Sequence, residues 1–410
     1  MVADYNQPMQ SLWNNADAGR CDNELALRAY GSRLLGGDPS LVLHGGGNTS
    51  IKLDENGETV LYVKGTGSNL ATVDERAFTP LRVDGVSTLL ALPELDNARM
   101  MRELDACLKR RPAPRPSIET LLHAGLPYRC VEHTHADAVL AAMNVENMTA
   151  VHAEVYGERA PLVPYHHSGH ALARACMQVF DTQRTGNTIG LILAFHGVVA
   201  FGDSVHASYE NMIELVTRAE HYLQARGAWR IPRIPEAEAS PIAPDPAVLE
   251  NVVDAIRATA SAPLVLHIDG SPQSLAFTRR ADLADITRHG PATPQHAVYT
   301  RRVPMIGRKV TTVRDYAARY RHYLDTHLGQ RASALMDAAP RIVLDADFGV
   351  CAFGASARDA HIAAEMFAHD IAIMTRASAH GHYCSAPPGA IAQAEFEYGG
   401  FAAKLARNNE

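Results

Sequence analysis

Apolar residues recur along this chain with two periods, and the switching between them sets its organisation. The 3.6-residue spacing of a helix with one buried face runs through 22–36, 97–109, 117–124, 169–181 and 205–226. Asp22 or Asn23 can cap the first of these and Gly36 can stop it, and Pro116 stands where a helix starts. Short runs with strand character lie at 41–44, 50–53 and 59–63, separated by glycine-containing turns. The α/β pattern returns beyond residue 246: 247–259 reads as helix, 263–268 as strand, 312–328 as helix, 341–344 as strand and 356–378 as a long helix. Between the halves, RIPRIPEAEASPIAPDP at 230–246 is rich in proline and small residues, as linkers are. The pattern predicts an α/β protein in two parts, 1–235 and 236–410, without a short-period repeat.

Composition narrows the partners. The 410 residues are 47% hydrophobic and 20% charged, with a formal net charge of -7 and no basic block. That argues against a nucleic-acid or anionic-membrane surface. No apolar run approaches the about 20 residues a membrane helix needs, and the polar stretch 1–15 does not read as a secretory signal. The six cysteines are scattered without a CxxC pair, which predicts reduced, mostly buried thiols in a cytoplasmic protein. Zinc sites of four cysteines, or of two cysteines and two histidines, are thereby disfavoured. With 20 histidines in the chain, imidazole is the natural metal ligand.

One segment carries the chemistry. Cys130-Val131-Glu132-His133-Thr134-His135 places two imidazoles at i and i+2, which in a strand point to the same face. A third, His196, closes the apolar run that begins at Leu191 and is followed by Gly197. Three neutral imidazoles with one open position describe a catalytic zinc site. Glu119 precedes the pair. It can serve as a fourth ligand when the site is empty and as a general base once a substrate displaces it. It can equally be a glutamate at a helix N-terminus, stabilised by the dipole and without function. The turns Gly45-Gly46-Gly47-Asn48-Thr49-Ser50 and Gly65-Thr66-Gly67-Ser68-Asn69, with Arg115-Pro116-Ser117 at a helix start, suit a phosphate group. A dinucleotide fingerprint fails, because Leu70 occupies the third glycine position, and no GxxxxGK[ST] loop is present.

These pieces resemble the class II aldolase/adducin family. The resemblance rests on GGGNTSIK (45–52), VKGTGSNLA (63–71), PSIETLLHAGLPYRCVEHTHADAVLA (116–141) and AFHGVVAFGDS (194–204). More loosely, GPATPQHAVYTRRVP (290–304) and EFEYGGFAAKLAR (395–407) resemble the aldolase portion of bifunctional rhamnulose-1-phosphate aldolase/lactaldehyde dehydrogenases. The resemblance implies an α/β fold: a three-layer αβα zinc domain followed by a smaller α/β C-terminal domain. It implies Zn2+ on His133, His135 and His196, an acid/base role for Glu119, and phosphate contacts from Asn48, Thr66, Gly67 and Ser117. Lys64 becomes a phosphate counter-charge rather than a nucleophile. The activity implied is retro-aldol cleavage of a ketose 1-phosphate, rhamnulose-1-phosphate-like, to dihydroxyacetone phosphate and a hydroxyaldehyde. The implied assembly is a homo-oligomer, usually a tetramer, in which a neighbour's tyrosine protonates the leaving fragment. An epimerase, dehydratase or decarboxylase on the same site, a non-catalytic adducin-like scaffold and a purely structural zinc are the alternatives.

Four features depart from the family or lie outside its known roles. Ile118 stands where smaller aldolases carry a second phosphate-binding serine. No dehydrogenase half with a Rossmann fingerprint accompanies the aldolase portion, so dehydrogenase activity is not expected. The cluster Tyr165-His166-His167-Ser168-Gly169-His170 could line an aldehyde pocket, hold a second metal, or simply cap the helix from 169. In the second part His296, Tyr299, Arg301 and Arg302 could reach a phosphate or form an ordinary surface loop.

Overall fold

The computed structural model describes residues 6–235 and 246–400. Half or more of the proline-rich stretch 230–246 and of the segment 395–407 lies outside the described residues. The chain forms two compact units, one of Met1–Met143 with Asn147–Ala225, the other of Asn144–Glu146 with Arg226–Glu410.

The first unit is built on a seven-stranded sheet. Its strands are β1 (Asn48–Glu55), β2 (Glu58–Lys64), β3 (Phe78–Arg82), β4 (Cys130–Thr134), β5 (Leu162–Val163), β6 (Gly190–Leu193) and β7 (Gly197–Gly202), in the order β3-β2-β1-β4-β7-β6-β5. All neighbours pair antiparallel except β5 and β6. Both faces are covered, so the inner strands β4, β6 and β7 are buried along their whole length instead of on alternate residues. Val60, Tyr62 and Cys130 pack with Ala29 of the helix Glu24–Gly36 and with Val205. Leu61, Val63 and Val131 pack with Leu104, Leu121, Leu172 and Phe180 on the other face. Three layers result, as the resemblance implied. Burying each of these large side chains is worth about 1.5–3 kcal/mol.

The helices at 22–36, 97–109, 169–181 and 205–226 appear as Glu24–Gly36, Asn97–Ala106, His170–Gln183 and Val205–Ala225. Asn23, not Asp22, caps the first, accepting from the Leu25 and Ala26 amides. Two expectations fail. Residues 41–44 form no strand: the Leu41 carbonyl accepts from His135 N at 3.1 Å and His44 sits at φ 52°. The Leu41 and Val42 amides donate to Asp38 O and the Leu43 carbonyl accepts from Gly46 N, so the stretch makes local turns in place of a ladder. The helix expected from 117 begins at Thr120, with Glu119 in the N-cap position. The pattern also gave no strand at β3, whose Pro80 is tolerated because β3 is an edge.

The second unit holds a four-stranded sheet, β8 (Val265–Asp269), β9 (Met305–Ile306), β10 (Ile342–Asp345) and β11 (Gly349–Gly354), in the order β8-β11-β10-β9. The helices Val310–Leu328 and Pro388–Tyr398 close its core with Tyr316, Tyr320, Leu324 and Phe396. Arg301 is buried among acids: it meets Asp337 Oδ1 at 3.0 Å and the Glu395 carboxylate, which also accepts from Tyr320 Oη at 2.6 Å. Its charge is spent inside the unit, which removes it from the candidates for a phosphate contact. All six cysteines are free and four are buried. Among the described residues no helix is long and apolar enough to cross a membrane.

Candidate metal centre

His133 lies near the end of β4, in the middle of the sheet, opposite Asn48 on β1 and Val199 on β7. His135 follows one residue past the strand, on the same side, held by the backbone bond to Leu41. His196 occupies the turn joining β6 to β7. That turn is tight: Phe195 takes φ 56° and Gly197 φ 154°. A Cβ on Gly197 would stand 2.2 Å from the Thr134 carbonyl oxygen, so only glycine lets the turn press against the end of β4.

The fold brings the three imidazoles together. Ring centroids are 4.8 Å apart for His133–His135 and His133–His196, and 5.3 Å for His135–His196. One ring nitrogen from each lies within 4.8 Å of the others. Glu119 reaches in from the opposite element, its Oε1 3.1 Å from His196 Nε2 and 3.6 Å from His133 Nε2. His133 is fully buried. Its Nδ1 sits 3.0 Å from the Val198 carbonyl oxygen, an acceptor only, so the proton is on Nδ1 and the Nε2 lone pair faces the cluster. That Nε2 has no hydrogen-bond partner. A buried polar nitrogen left unmatched costs about 1–3 kcal/mol. A divalent ion bound there would satisfy it, so the donor set fits a zinc-class metal.

Electrostatics follow the geometry. Burial alone would raise Glu119, but His133, His196 and the Asn48 amide outweigh it and hold the carboxyl well below the usual range. Burial lowers His133 against the opposing pull of Glu119, favouring the neutral ligand form. Burial likewise brings Lys64 down to about 8, with Glu119 opposing. Lys64 Nζ donates to Gly45 O at 3.2 Å and Ser68 O at 2.7 Å, tying the two glycine turns together.

The residues expected to meet a phosphate form one rim. Thr66 donates from N to Arg115 O and from Oγ1 to Pro116 O, both at 2.9 Å. Gly67, at φ 87°, is exposed beside it. Ser117 Oγ accepts from Glu119 N at 3.2 Å and from Asn48 Nδ2 at 3.4 Å. Asn48 is more deeply committed. Its Nδ2 donates to Glu119 Oε2 at 2.5 Å and its Oδ1 bonds His123 Nε2. The amide is thus first a brace for Glu119. His166 and His170 sit elsewhere: they line an open cleft of about 660 Å³ with Glu94, Asp96 and Arg174, and none of the three clustered histidines or Glu119 lines it.

His123 is the residue that motif reading passed over. It is fully buried, bridging Ser50 Oγ at 2.8 Å and Asn48 Oδ1, and burial brings it down to about 3. Every residue from Thr120 to Ala124 is buried, and a histidine one turn after Glu119 has no spacing signature. The arrangement is a relay, Ser50–His123–Asn48–Glu119. His123→Leu is expected to keep the metal, leave Asn48 Oδ1 unmatched and cost about 1–3 kcal/mol. The folded pKa is depressed, so the neutral ring stabilises the fold above about 6.5. That contribution is lost as pH falls towards about 3. The variant should therefore lose less stability on acidification than the parent, by up to about 1.4 kcal/mol per pH unit in that window. Urea unfolding of both proteins at pH 7 and pH 5, chelator present throughout, checks this.

Residues 27–223 match the Class II Aldolase and Adducin N-terminal domain, and residues 245–401 match the second domain of class II aldolases. The chain is 37% identical to the N-terminal class II aldolase domain of a conserved protein from Thermoplasma acidophilum, over 52% of this chain and 99% of that one, with a TM-score of 0.48. An L-fuculose-1-phosphate aldolase from Thermus thermophilus is 15% identical over 51% of this chain and 96% of that one, with a TM-score of 0.34. YuxG of Bacillus subtilis (strain 168), an uncharacterized oxidoreductase, is 28% identical over 405 residues, 92% of this chain. The chain spans 58% of that relative's length. The first match contains every residue of the histidine cluster and its rim, and the second takes up nearly all that follows; the chain belongs to the class II aldolase/adducin family.

Proposed function

We propose that this protein is a zinc-dependent aldolase that cleaves a ketose 1-phosphate, rhamnulose-1-phosphate-like, to dihydroxyacetone phosphate and a hydroxyaldehyde, and that it works as a homo-oligomer, a tetramer by analogy with its family. The observation that carries the reading is the unpartnered, buried Nε2 of His133 facing His135, His196 and an ionised Glu119. His133, His135 and His196 would hold the ion, which when bound polarises the ketose carbonyl and stabilises negative charge on its oxygen.

The chain's own groups do the rest. In cleavage the C4 hydroxyl gives up its proton as the C3–C4 bond breaks, and Glu119, protonated by that loss, delivers a proton to C3; in condensation the carboxylate takes the C3 proton and the new C4 hydroxyl takes one back. Asn48 holds the carboxylate for this exchange, and Ser117 holds the Glu119 backbone amide. The rim of Thr66, Gly67 and Ser117 orients the phosphate, so that binding energy remote from the breaking bond is used for alignment. The Lys64 ammonium contributes positive charge close behind it.

The test is a panel of ketose 1-phosphates given to purified protein of measured metal content, with and without chelator. Chelator-sensitive release of dihydroxyacetone phosphate is expected. Glu119→Gln, which keeps the Asn48 contact but cannot take a proton, should retain zinc and lose about 10²–10⁴-fold in kcat. Zinc-replete protein that cleaves none of the panel would overturn the aldolase assignment.

A further inference from the structure

The second unit gathers another set of ligand-type side chains, outside the motifs that carry the first site. Asp285 lies on the short helix Leu283–Thr287, His289 two residues past its end, and His382 two residues past the end of the long helix Ala357–His380. One ligand atom from each of the three falls within 4.8 Å of the others. The rings of His289 and His382 meet edge to face, centroids 5.3 Å apart and planes at 84°. His289 Nε2 is buried and has no hydrogen-bond partner. A fourth ligand-type atom stands near: Glu146 Oε1, in the same unit, lies 3.8 Å from His382 Nε2.

We propose that Asp285, His289 and His382 form a second metal site, for a divalent transition ion of the zinc class. The ligand set selects the ion. Two imidazoles with one carboxylate suit zinc, cobalt or nickel, whereas magnesium and calcium take all-oxygen sets. Zinc ligands at about 2.0–2.1 Å in a tetrahedron stand roughly 3.4 Å apart. The three atoms must therefore draw in from their 4.8 Å limit. Asp285 and His382 are both half exposed and can turn to do so. The competitor for the carboxylate is Arg288, whose Nε lies 2.8 Å from Asp285 Oδ1. That pair is more than half exposed on both sides, and exposed pairs are worth little. The ion would pin the turn after Leu283–Thr287 to the end of Ala357–His380, joining segments about a hundred residues apart in sequence.

The experiment uses the full chain, stripped with chelator and reloaded with Zn2+, its bound metal counted by mass spectrometry after desalting. Two ions per chain are expected. His289→Ala with His382→Ala should bind one, and His133→Ala with His135→Ala should also bind one. Asp285→Asn, an exposed change that leaves the histidines in place, should keep both ions but weaken one at least tenfold in a zinc titration. Reconstitution with Co2+ should give visible absorption in the His133→Ala/His135→Ala protein that the His289→Ala/His382→Ala change removes. The proposal is overturned if the His289→Ala/His382→Ala protein binds as many ions as the parent. It is also overturned if a folded His133→Ala/His135→Ala protein binds none. Because the count does not depend on turnover, failure of the aldolase reading leaves this result intact.

Discussion

His133→Ala is expected to lose its bound zinc at the first site and at least roughly a thousandfold in turnover, while unfolding near the parent's temperature. The loss of rate follows from losing a Lewis acid worth several kcal/mol, at about 1.36 kcal/mol per tenfold. The modest effect on stability follows from what the imidazole does in the metal-free fold. It donates one hydrogen bond to Val198 O and leaves Nε2 unmatched, so its removal takes away a favourable contact and an unfavourable one together. The two effects separate a catalytic ion from a purely structural one. A structural zinc at the first site would make the melting temperature of the His289→Ala/His382→Ala protein, which keeps only that site, fall steeply on chelation in step with the loss of metal. Metal content, melting curves with and without chelator, and single-turnover cleavage, measured on the same preparation, decide between them. A His133→Ala protein that keeps both its first-site zinc and its turnover would refute the ligand assignment.

Much of this was readable in the sequence because the signals were local. HxH in a strand fixes two imidazoles on one face by the pleat alone, and helices such as Val205–Ala225 announce themselves by long periodicity. What the pattern did not carry was long-range. Residues 41–44 look like a strand by composition, yet their backbone makes local turns with Asp38 and Gly46, and Leu41 O accepts from His135 N almost a hundred residues on. Asn48 reads as part of a glycine-rich anion turn. Its side chain is turned instead towards Glu119 and His123, because β1 pairs with β4 in a register that sets Asn48 beside His133. Arg301 reads as a loop cation and proves to be the centre of a buried charge cluster, since its partners Asp337 and Glu395 come from other segments. The cluster of Asp285, His289 and His382 was silent for the same reason: a third ligand nearly a hundred residues away has no spacing to recognise.

The largest stability effect expected in the first unit comes from beneath the histidine strand. Glu132, next to His133, points to the opposite face and meets Arg28 NH2 at 2.7 Å, with both side chains wholly out of solvent. Ser208 Oγ donates to the same carboxylate oxygen at 2.9 Å. Arg28→Ala would leave an anion buried with one hydroxyl for company, and such broken pairs cost about 3–5 kcal/mol. Replacing both partners, Arg28→Met with Glu132→Leu, should recover most of that loss, because a pair exchanged for apolar side chains is often neutral. Burial already raises Glu132 against the pull of Arg28. Without the arginine it should rise further, so the defect is full at neutral pH and shrinks as acid protonates the carboxyl. Urea unfolding of the parent, the single and the double variant at pH 7 and pH 5 checks each sign. Since β4 carries both Glu132 and His133, the single variant should also hold its first-site zinc less tightly than the double. Equal zinc affinity in the two would show that the ion pair braces the fold without positioning the histidine.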